Sequence, residues 1–244
     1  MKPIQAVFIS DLHLHPEMPS ISEWFTQFIA WAKQATETVY ILGDFLHVWP
    51  GDDALDNWSQ TIATQLAQLS AAGVHCYFMP GNRDFLLGSQ FAKLAKWNVL
   101  SDPSVIELGG ETILLSHGDR YCTADKKHQW FRWITRQPLF IWSFTRIPLA
   151  LRTRWVQQVR NYSQQQHAAH DMHKMDVVDK AVQLSLHEYR AKTIIHGHTH
   201  RPKTHHMPEK CRRFVLSDWD DKPLFLCYYK TYGIKFIEFD AMRI

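Results

Sequence analysis

Five short polar motifs, each placed directly after an apolar run, constrain the fold of this chain more than any other feature. The motifs are Asp11-Leu12-His13, Gly43-Asp44, Gly81-Asn82-Arg83-Asp84, His117-Gly118-Asp119 and His196-Gly197-His198-Thr199-His200. The preceding runs are rich in Val, Ile, Leu, Phe and Tyr, and they span Ala6–Ile9, Val39–Leu42, His75–Met79, Thr112–Leu115 and Thr193–Ile195. Such runs, with little alternation, are typical of strands that are buried on both faces of a sheet. We therefore expect each motif to begin where a buried strand ends.

Helical patterns separate these strands. Apolar residues recur at helical spacing in Ser22–Ala35 and Asn57–Ala72, and Phe85–Trp97 is also expected to be helical. The alternation of strands and helices predicts an α/β sandwich. Further strands, expected to be antiparallel, are predicted near the C-terminus at Phe214–Leu216, Leu224–Tyr229 and Ile234–Phe239.

The segment 124–190 interrupts this alternation, because it contains no strand-like run. Its first half carries eight Lys or Arg and no Asp or Glu between Lys126 and Arg160. Seven aromatic residues are interleaved with them: Trp130, Phe131, Trp133, Phe140, Trp142, Phe144 and Trp155. A local basic block of this kind points to an anionic partner, which can be nucleic acid, phosphate or a membrane surface. We predict a core of residues 1–123 and 191–244, and a helical cap insertion of residues 124–190 over the carboxyl ends of the strands.

The composition argues against several classes of protein. The net charge of +3 is too small for a polycation, and no apolar run approaches the roughly 20 residues of a membrane-spanning helix. The four cysteines are scattered, which favours reduced thiols in the cytoplasm over a disulfide framework or a zinc knuckle. No obligate protein partner is evident from the sequence.

The motif side chains predict a site for two divalent metal ions. Two Asp, one Asn and four His are the expected ligands: Asp11, His13, Asp44, Asn82, His117, His196 and His198. Mixed oxygen and imidazole ligands suit ions such as Mn²⁺ and also allow Fe, Zn or Co. Asp44 is the natural bridge between the two ions, and Asp84, Asp119 and His200 are expected to orient the ligands. Two-metal sites of this ligand mix cleave phosphate esters and anhydrides.

Each motif alone is weak evidence for a metal site. A Gly-Asp pair is usually a turn, Gly-Asn is a common hairpin signal, and a His-x-His-x-His stretch can be a solvated loop. Five such motifs in one chain, each at an expected strand end, are rarely a coincidence.

Together the five motifs resemble those of the calcineurin-like metallophosphoesterases. The resemblance implies a four-layer α/β/β/α sandwich. It also implies one ion held by Asp11, His13, Asp44 and His198, and a second ion held by Asp44, Asn82, His117 and His196. The general pattern of that family has a His after the Asn, often assigned to protonate the leaving group, and this chain has Arg83 there.

Within that superfamily, three stretches resemble the UDP-2,3-diacylglucosamine hydrolases of lipid A biosynthesis in Gram-negative bacteria. They are Gly81-Asn82-Arg83-Asp84, the stretch 43–53 and the stretch 196–202. This resemblance implies hydrolysis of a lipid-linked UDP-sugar at its pyrophosphate by a two-metal-activated water, giving UMP and 2,3-diacylglucosamine 1-phosphate (lipid X). It also implies two Mn²⁺ ions, a helical cap, and a cytoplasmic enzyme that is peripheral on the anionic surface of the inner membrane. The implied substrate contacts are Asn82, Arg83, Asp125, Ser163 and His196, with His167 and His170 where relatives often have Asn and Lys.

Two other functions remain open at this point. A nucleotide or nucleic-acid phosphodiesterase would use the basic block for phosphates and the aromatic residues for base stacking. The aromatic residues are mixed with Leu139, Ile141 and Ile147, however, which favours a hydrophobic groove, so no nucleic acid is expected. A non-enzymatic scaffold on the same fold would be expected to lose ligands, and this chain retains all seven.

Overall fold

The computed structural model describes residues 2–169, 176–220 and 223–238, with the backbone alone for 161–169. Its strands are β1 (Ile4–Ile9), β2 (Thr36–Leu42), β3 (His75–Met79), β4 (Asn98–Val99), β5 (Ser104–Leu108), β6 (Glu111–Ser116), β7 (Thr193–His196), β8 (Lys203–His206), β9 (Arg212–Val215), β10 (Leu224–Tyr229) and β11 (Gly233–Glu238). Its α-helices are α1 (Pro19–Ala35), α2 (Asn57–Ala71), α3 (Ser89–Ala95), α4 (Lys126–Thr135), α5 (Pro138–Phe144), α6 (Leu149–Ala169) and α7 (Asp179–Glu188).

The strands form two sheets. The first has the order β11-β10-β1-β2-β3-β4, and the second has the order β5-β6-β7-β9-β8. Strands β1 to β4 pair in parallel, as do β6, β7 and β9, whereas β10, β11, β5 and β8 are antiparallel to their neighbours. All strands that precede the motifs are parallel to their motif-bearing neighbours, so their carboxyl ends meet at one edge of each sheet.

Three apolar clusters separate four layers. Along β1, Val7 and Ile9 pack on the side of α1 to α3, while Phe8 points between the two sheets. The third cluster joins Leu114 of β6 to Val182 of α7 on the outer face of the second sheet. The alternation of side chains along a strand produces this arrangement, because successive residues face opposite layers. The predicted four-layer α/β/β/α sandwich is confirmed.

Some element boundaries differ from the predicted ones. The helix expected over Phe85–Trp97 is limited to Ser89–Ala95, because the Asp52 carboxylate accepts hydrogen bonds from the Gly88 and Gln90 amides and so starts the helix there. The expected antiparallel pairing is found for β10 and β11, but β9 runs parallel to β7. The residue expected to end the last strand, Phe239, lies outside the described residues.

The segment predicted as a cap holds α4 to α7 and no strand in the part that the structure describes. Helix α7 packs with Val182 and Leu186 into the apolar cluster of the second sheet. Helices α4 to α6 connect the loop after β6 to this helix. The division of the chain at 124 and 190 stays a prediction. Across the described ranges, no helix combines the length and hydrophobicity needed to cross a bilayer.

Candidate metal centre

The five motif loops meet at the carboxyl edges of the two sheets, and backbone hydrogen bonds join them. The Asp11 amide donates to the Gly43 carbonyl at 3.1 Å, and the His13 amide donates to the Asp44 carbonyl at 3.0 Å. In the second sheet the Gly197 amide donates to the His117 carbonyl at 2.8 Å. The convergence expected from parallel strands is therefore present.

One group of potential ligands consists of Asp11, His13 and His200, whose ligand atoms lie within 4.8 Å of one another. His200 Nε2 is 3.3 Å from Asp11 Oδ1 and 3.4 Å from His13 Nε2. On its other side, His200 Nδ1 is 3.1 Å from Asp218 Oδ2. A carboxylate behind an imidazole is typical of metal-binding histidines, since it fixes the ring and its tautomer.

A second group consists of Asp11, Asp44 and His117, also within 4.8 Å. His117 Nε2 is 3.6 Å from Asp44 Oδ1 and 2.9 Å from Asn82 Oδ1. The Nδ1–H of His117 donates to the Leu42 carbonyl at 2.9 Å, which leaves Nε2 directed into the site. Asp11 belongs to both groups, so the two sites adjoin each other.

The histidine pair of the last motif is displaced by two residues from the expected one. We expected the His198 ring beside Asp11 and His13, and the structure places the His200 ring there, while His198 contacts Asp11 Oδ2 through its backbone amide at 2.9 Å. His198 instead lies beside His117, with ring centroids 5.1 Å apart, where His196 was expected. The physical reason is that His196 is the last residue of β7, held in the sheet by the Leu216 amide, which donates to its carbonyl at 2.7 Å. The chain enters the loop only at Gly197.

Several buried polar atoms in this centre have no hydrogen-bond partner among the described residues. They include Asp11 Oδ1, whose 3.3 Å contact with His200 Nε2 lacks hydrogen-bond geometry. Asp11 and Asp44 are only 0% and 2% exposed. Buried charges and unpaired acceptors are costly unless a cation or a donor compensates them. Oxygen and imidazole donors without such partners fit two divalent cations.

The titration behaviour of the centre reflects the closeness of carboxylates and imidazoles. Burial favours neutral Asp11, yet His200, His117 and His13 hold the pKa of its carboxyl well below the usual range. Burial also disfavours charged His117, but Asp44 and Asp11 raise its pKa to about 9. Positive charge is therefore stabilised at this position by the fold itself.

The backbone of the centre is strained. Five non-glycine residues adopt a left-handed conformation, with φ of 55° for Asp11, 49° for His13, 51° for Asp44, 71° for His198 and 55° for His200. Such residues cost free energy and persist where the surrounding structure over-determines them, which is common at functional sites. All five strained residues are candidate ligands.

Comparison with known proteins identifies the family. The model of the calcineurin-like phosphoesterase family matches residues 4–202. This chain belongs to the calcineurin-like phosphoesterases.

Curated relatives of this phosphoesterase carry a more specific name. A protein of Stutzerimonas stutzeri named UDP-2,3-diacylglucosamine hydrolase is 42% identical over 217 residues, which cover 88% of this chain and 90% of the relative. A protein of Pseudomonas aeruginosa with the same name is 40% identical over 220 residues, covering 89% and 92%.

Solved structures show the same fold at low sequence identity. A novel archaeal phosphodiesterase has a TM-score of 0.50 at 11% identity, with 96% of this chain and 98% of that chain covered. A dimetal phosphatase from Danio rerio has a TM-score of 0.50 at 12% identity, with 98% and 100% covered.

Asp84 holds two of the motif loops of the phosphoesterase together. Its buried carboxylate accepts hydrogen bonds from the Phe45 amide at 2.7 Å and the Gly81 amide at 2.8 Å. Phe45 follows Asp44, and Gly81 precedes Asn82. Gly81 also has no room for a side chain, because a Cβ there would collide with the backbone nitrogen and the carboxylate of Asp44. Asp84 thus joins the loops that carry Asp44 and Asn82 through its hydrogen bonds.

Two cations, Arg83 and Arg160, and the uncharged imidazole of His47 lie beside the centre, and we call these three residues the cation cluster. Arg83 Nε lies 3.4 Å from Asp44 Oδ2. Burial and the neighbouring Arg160 and Arg83 lower the pKa of His47 to about 3, and burial and Arg83 lower the pKa of Arg160. Mutual repulsion of this kind favours a bound anion. Sequence analysis missed Arg160 and His47, although Arg160 ends the basic block.

A further imidazole enters the site from α4 and was not predicted. The ring of His128 stacks on that of His198 with centroids 5.8 Å apart. Asp125, an expected substrate contact, caps α4: its Oδ1 accepts from the His128 amide at 3.0 Å. The side chains of Ser163 and His167, and all of His170, lie outside the described residues.

Some cations of the basic block are paired with carboxylates or buried, so fewer are available to an anionic partner than the composition suggests. Arg132 Nε donates to Asp119 Oδ2 at 2.9 Å, and its Nη2 donates to Asp102 Oδ2 at 2.7 Å. Arg152 is fully buried. The aromatic residues of the block, by contrast, are largely exposed. Five of the seven are exposed large hydrophobics: Trp130, Phe131, Trp133, Trp142 and Trp155.

Proposed function

We propose that this phosphoesterase hydrolyses UDP-2,3-diacylglucosamine at its pyrophosphate bond, giving UMP and 2,3-diacylglucosamine 1-phosphate in lipid A biosynthesis. The observation that carries the proposal is the 42% identity, over 88% of the chain, to a protein that bears this enzyme name. In the reaction the oxygen of water bonds to the phosphorus nearer uridine. The bond from that phosphorus to the bridging oxygen breaks, and the lipid phosphate leaves with that oxygen.

Seven side chains would hold two divalent ions, for which we propose Mn²⁺. The set combines the expected residues with the displaced histidine pair: Asp11, His13, Asp44, Asn82, His117, His198 and His200. When bound, such ions supply a hydroxide nucleophile near neutral pH and neutralise charge on phosphoryl oxygens. His196, proposed from the resemblance as a ligand and a substrate contact, is buried at the strand end with Nδ1 donating to the Gly197 carbonyl at 2.8 Å.

The cation cluster would bind the diphosphate of the substrate. The Arg83 amide donates to Asp44 Oδ1 at 2.9 Å. This hydrogen bond fixes the backbone that carries the Arg83 guanidinium beside the centre. Fixed cations of this kind stabilise the charge that develops on phosphoryl oxygens. The leaving lipid phosphate is stable as an anion at neutral pH. A proton donor at the position of Arg83 is therefore not required.

The helical segment would bind the lipid part of the substrate and the membrane. We propose residues 124–190 as a cap whose residues Asp125, Ser163, His167 and His170, together with Asn82, contact the substrate. Its exposed Trp and Phe side chains suit acyl chains and the interfacial region of a bilayer, and Lys126 and Lys127 suit anionic headgroups. These features support a peripheral position on the inner membrane.

The decisive experiment measures UMP release from UDP-2,3-diacylglucosamine with and without added Mn²⁺. We expect Mn²⁺-dependent release, and Asp44→Ala and His117→Ala should lower the rate by at least about 100-fold because each removes a proposed ligand. Glu188→Gln is the matched control, since Glu188 is exposed at the end of α7. Cyclic nucleotides and single-stranded DNA should be poor substrates. Preferential cleavage of either, or full activity of Asp44→Ala, would refute the proposal.

Membrane contact is tested by sedimentation with anionic vesicles. Replacing Trp130 and Trp133 together by Ser should reduce the bound fraction, because these side chains are 66% and 64% exposed and large apolar surface stabilises interfacial binding. Tyr232→Ser, in the turn between β10 and β11, is the control, since its side chain is 70% exposed on the core. Equal loss in both variants would contradict the proposed orientation.

A further inference from the structure

Arg152, near the start of α6, is fully buried, although it carries a permanent charge. Its Nε donates to the Ile147 carbonyl at 2.7 Å, its Nη1 donates to the Pro50 carbonyl, and its Nη2 pairs with the Asp53 carboxylate. A buried guanidinium is stable only when its donors are used in this way. Two of the three partners lie about 100 residues earlier in the chain, so Arg152 joins α6 to the loop of residues 50–53.

The conformation of the loop of residues 50–53 leaves space for the Arg152 guanidinium. Gly51 has a φ of 136°, and a Cβ there would lie 2.5 Å from Arg152 Nη1, so a side chain at this position would displace the guanidinium. Next to this loop, the Trp49 amide donates to the Arg83 carbonyl at 3.2 Å. Trp49 Nε1 in turn donates to Asp52 Oδ1 at 3.1 Å. Through these contacts the loop fixes the backbone of Arg83.

The other end of the connection is Arg160, which follows Arg152 in the same helix. Eight residues of α-helix span about 12 Å, so the end of α6 that Arg152 fixes is two turns from Arg160. Arg160 Nε is a buried donor without a hydrogen-bond partner among the described residues, and Arg160 is close enough to Arg83 and His47 for their charges to influence one another's pKa. Arg152 is thus connected to the cation cluster in two ways. Helix α6 joins it to Arg160, and the loop of residues 50–53 joins it to Arg83.

We propose that Arg152 is a positioning residue that sets the separation of Arg160 and Arg83 at the phosphate-binding cation cluster. The inference rests on the proposed function for the identity of the substrate. We expect α6 and the loop of residues 50–53 to move as one body only while Arg152 pairs with Asp53 and Pro50. Arg152 itself does not touch the substrate.

The test is a double-mutant cycle on the binding of UMP to the Mn²⁺-loaded protein, measured by isothermal titration calorimetry. Arg160→Met should weaken binding about tenfold or more, as expected for loss of a charged hydrogen bond. Arg152→Met should weaken it to a similar extent. The double variant should bind no more weakly than either single variant, because Arg152 acts through Arg160. Arg154→Met, an exposed cation of the same helix, should bind as the native protein does.

Three further outcomes decide the interpretation. Arg152→Lys should recover part of the affinity, since an ammonium group can still pair with Asp53. With the lipid substrate, Arg152→Lys should raise KM more than it lowers kcat. Independent, additive losses in the double variant, or native affinity in Arg152→Met, would overturn the proposal. If Arg152→Met does not fold, the cycle is run with Asp53→Asn and Arg160→Met. Additive losses of UMP affinity in that cycle would also overturn the proposal.

Failure of the proposed function would be seen separately. If the native protein binds UMP but releases none from UDP-2,3-diacylglucosamine, the substrate assignment is wrong and the cycle still tests Arg152. If the native protein binds no UMP, the cation cluster does not hold a phosphate group and the role of Arg152 is refuted.

Discussion

Asp84→Ala should destabilise the protein by several kcal/mol, although Asp84 faces none of the proposed ions. The side chain is 0% exposed, and its two short hydrogen bonds come from the Phe45 and Gly81 amides. A buried donor left unpaired costs about 1–3 kcal/mol, so two such donors give about 2–6 kcal/mol. That loss is a large part of the roughly 5–15 kcal/mol that stabilises a typical domain.

One effect opposes this loss. Burial and the Asp44 carboxylate raise the pKa of Asp84 to about 7, so the charged form is disfavoured in the folded protein. A raised pKa means that this group contributes stability below its unfolded pKa near 4, which is lost as the pH rises through about 7. Removing the carboxylate relieves that repulsion at neutral pH. We therefore expect a net loss of about 2–4 kcal/mol, in the lower part of the range given by the lost hydrogen bonds.

Urea unfolding in the presence of a chelator is the appropriate assay, because lost metal affinity then contributes nothing to the difference. Glu188→Ala is the control and should change the free energy of unfolding by less than about 0.5 kcal/mol, as substitutions at exposed positions usually do. Asp84→Asn should lie between native and Ala, since an amide oxygen can still accept one of the two bonds. A loss below about 1 kcal/mol for Asp84→Ala would refute the reasoning, because the two amides would then have found other partners.

Three other outcomes are expected. His200→Ala should lower the number of Mn²⁺ ions bound per chain more than His196→Ala does, because His200 lies beside Asp11 and His196 ends β7. The number is measured by plasma mass spectrometry, and the reverse order would favour His196 and His198 as the ligands. Burial raises the pKa values of Cys76, Cys122 and Cys227 to about 12, so the native protein should react slowly with a thiol-specific disulfide reagent at pH 8 and rapidly in urea. Added Mn²⁺ should raise the melting temperature in proportion to the logarithm of its concentration, since the ion binds the folded state alone; a constant melting temperature would contradict the metal site.

The sequence predicted the five strands that precede motifs and the C-terminal strands β9 to β11, and two of the strands that it missed, β4 and β8, escaped for a physical reason. A buried strand needs apolar residues on both faces, and the runs before the five motifs have them. Strand β8, Lys203–His206, is polar and lies at a sheet edge, and β4 has only two residues. Neither has a hydrophobic pattern to detect. The start of α3 was misplaced because the group that begins the helix is Asp52, which lies 36 residues before Gly88.

The candidate ligands were predicted wherever a motif offered one choice. Asp11, Asp44 and His117 each stand alone at a strand end, and the structure brings them together. The last motif offers imidazoles at three alternate positions, and spacing alone does not say which two face the site. The answer depends on where β7 ends, and this is set by pairing with β9, which continues to the His196 carbonyl. Pairing between distant segments is not encoded in the local pattern.

The basic block shows the same limit for charge. Counting residues between Lys126 and Arg160 gives eight cations without an acid, yet Asp102 and Asp119 neutralise Arg132, and Asp53 neutralises Arg152. These carboxylates precede their partner arginines by 13 to 99 residues and lie outside the block, so a charge count within the block does not include them. The count still points to the cations of the block that these carboxylates do not neutralise. Among the described residues, Arg83 is the charged group that lowers the pKa of Arg160, and a cation that the fold leaves near another cation is a better candidate for a substrate phosphate than an arginine paired with a carboxylate.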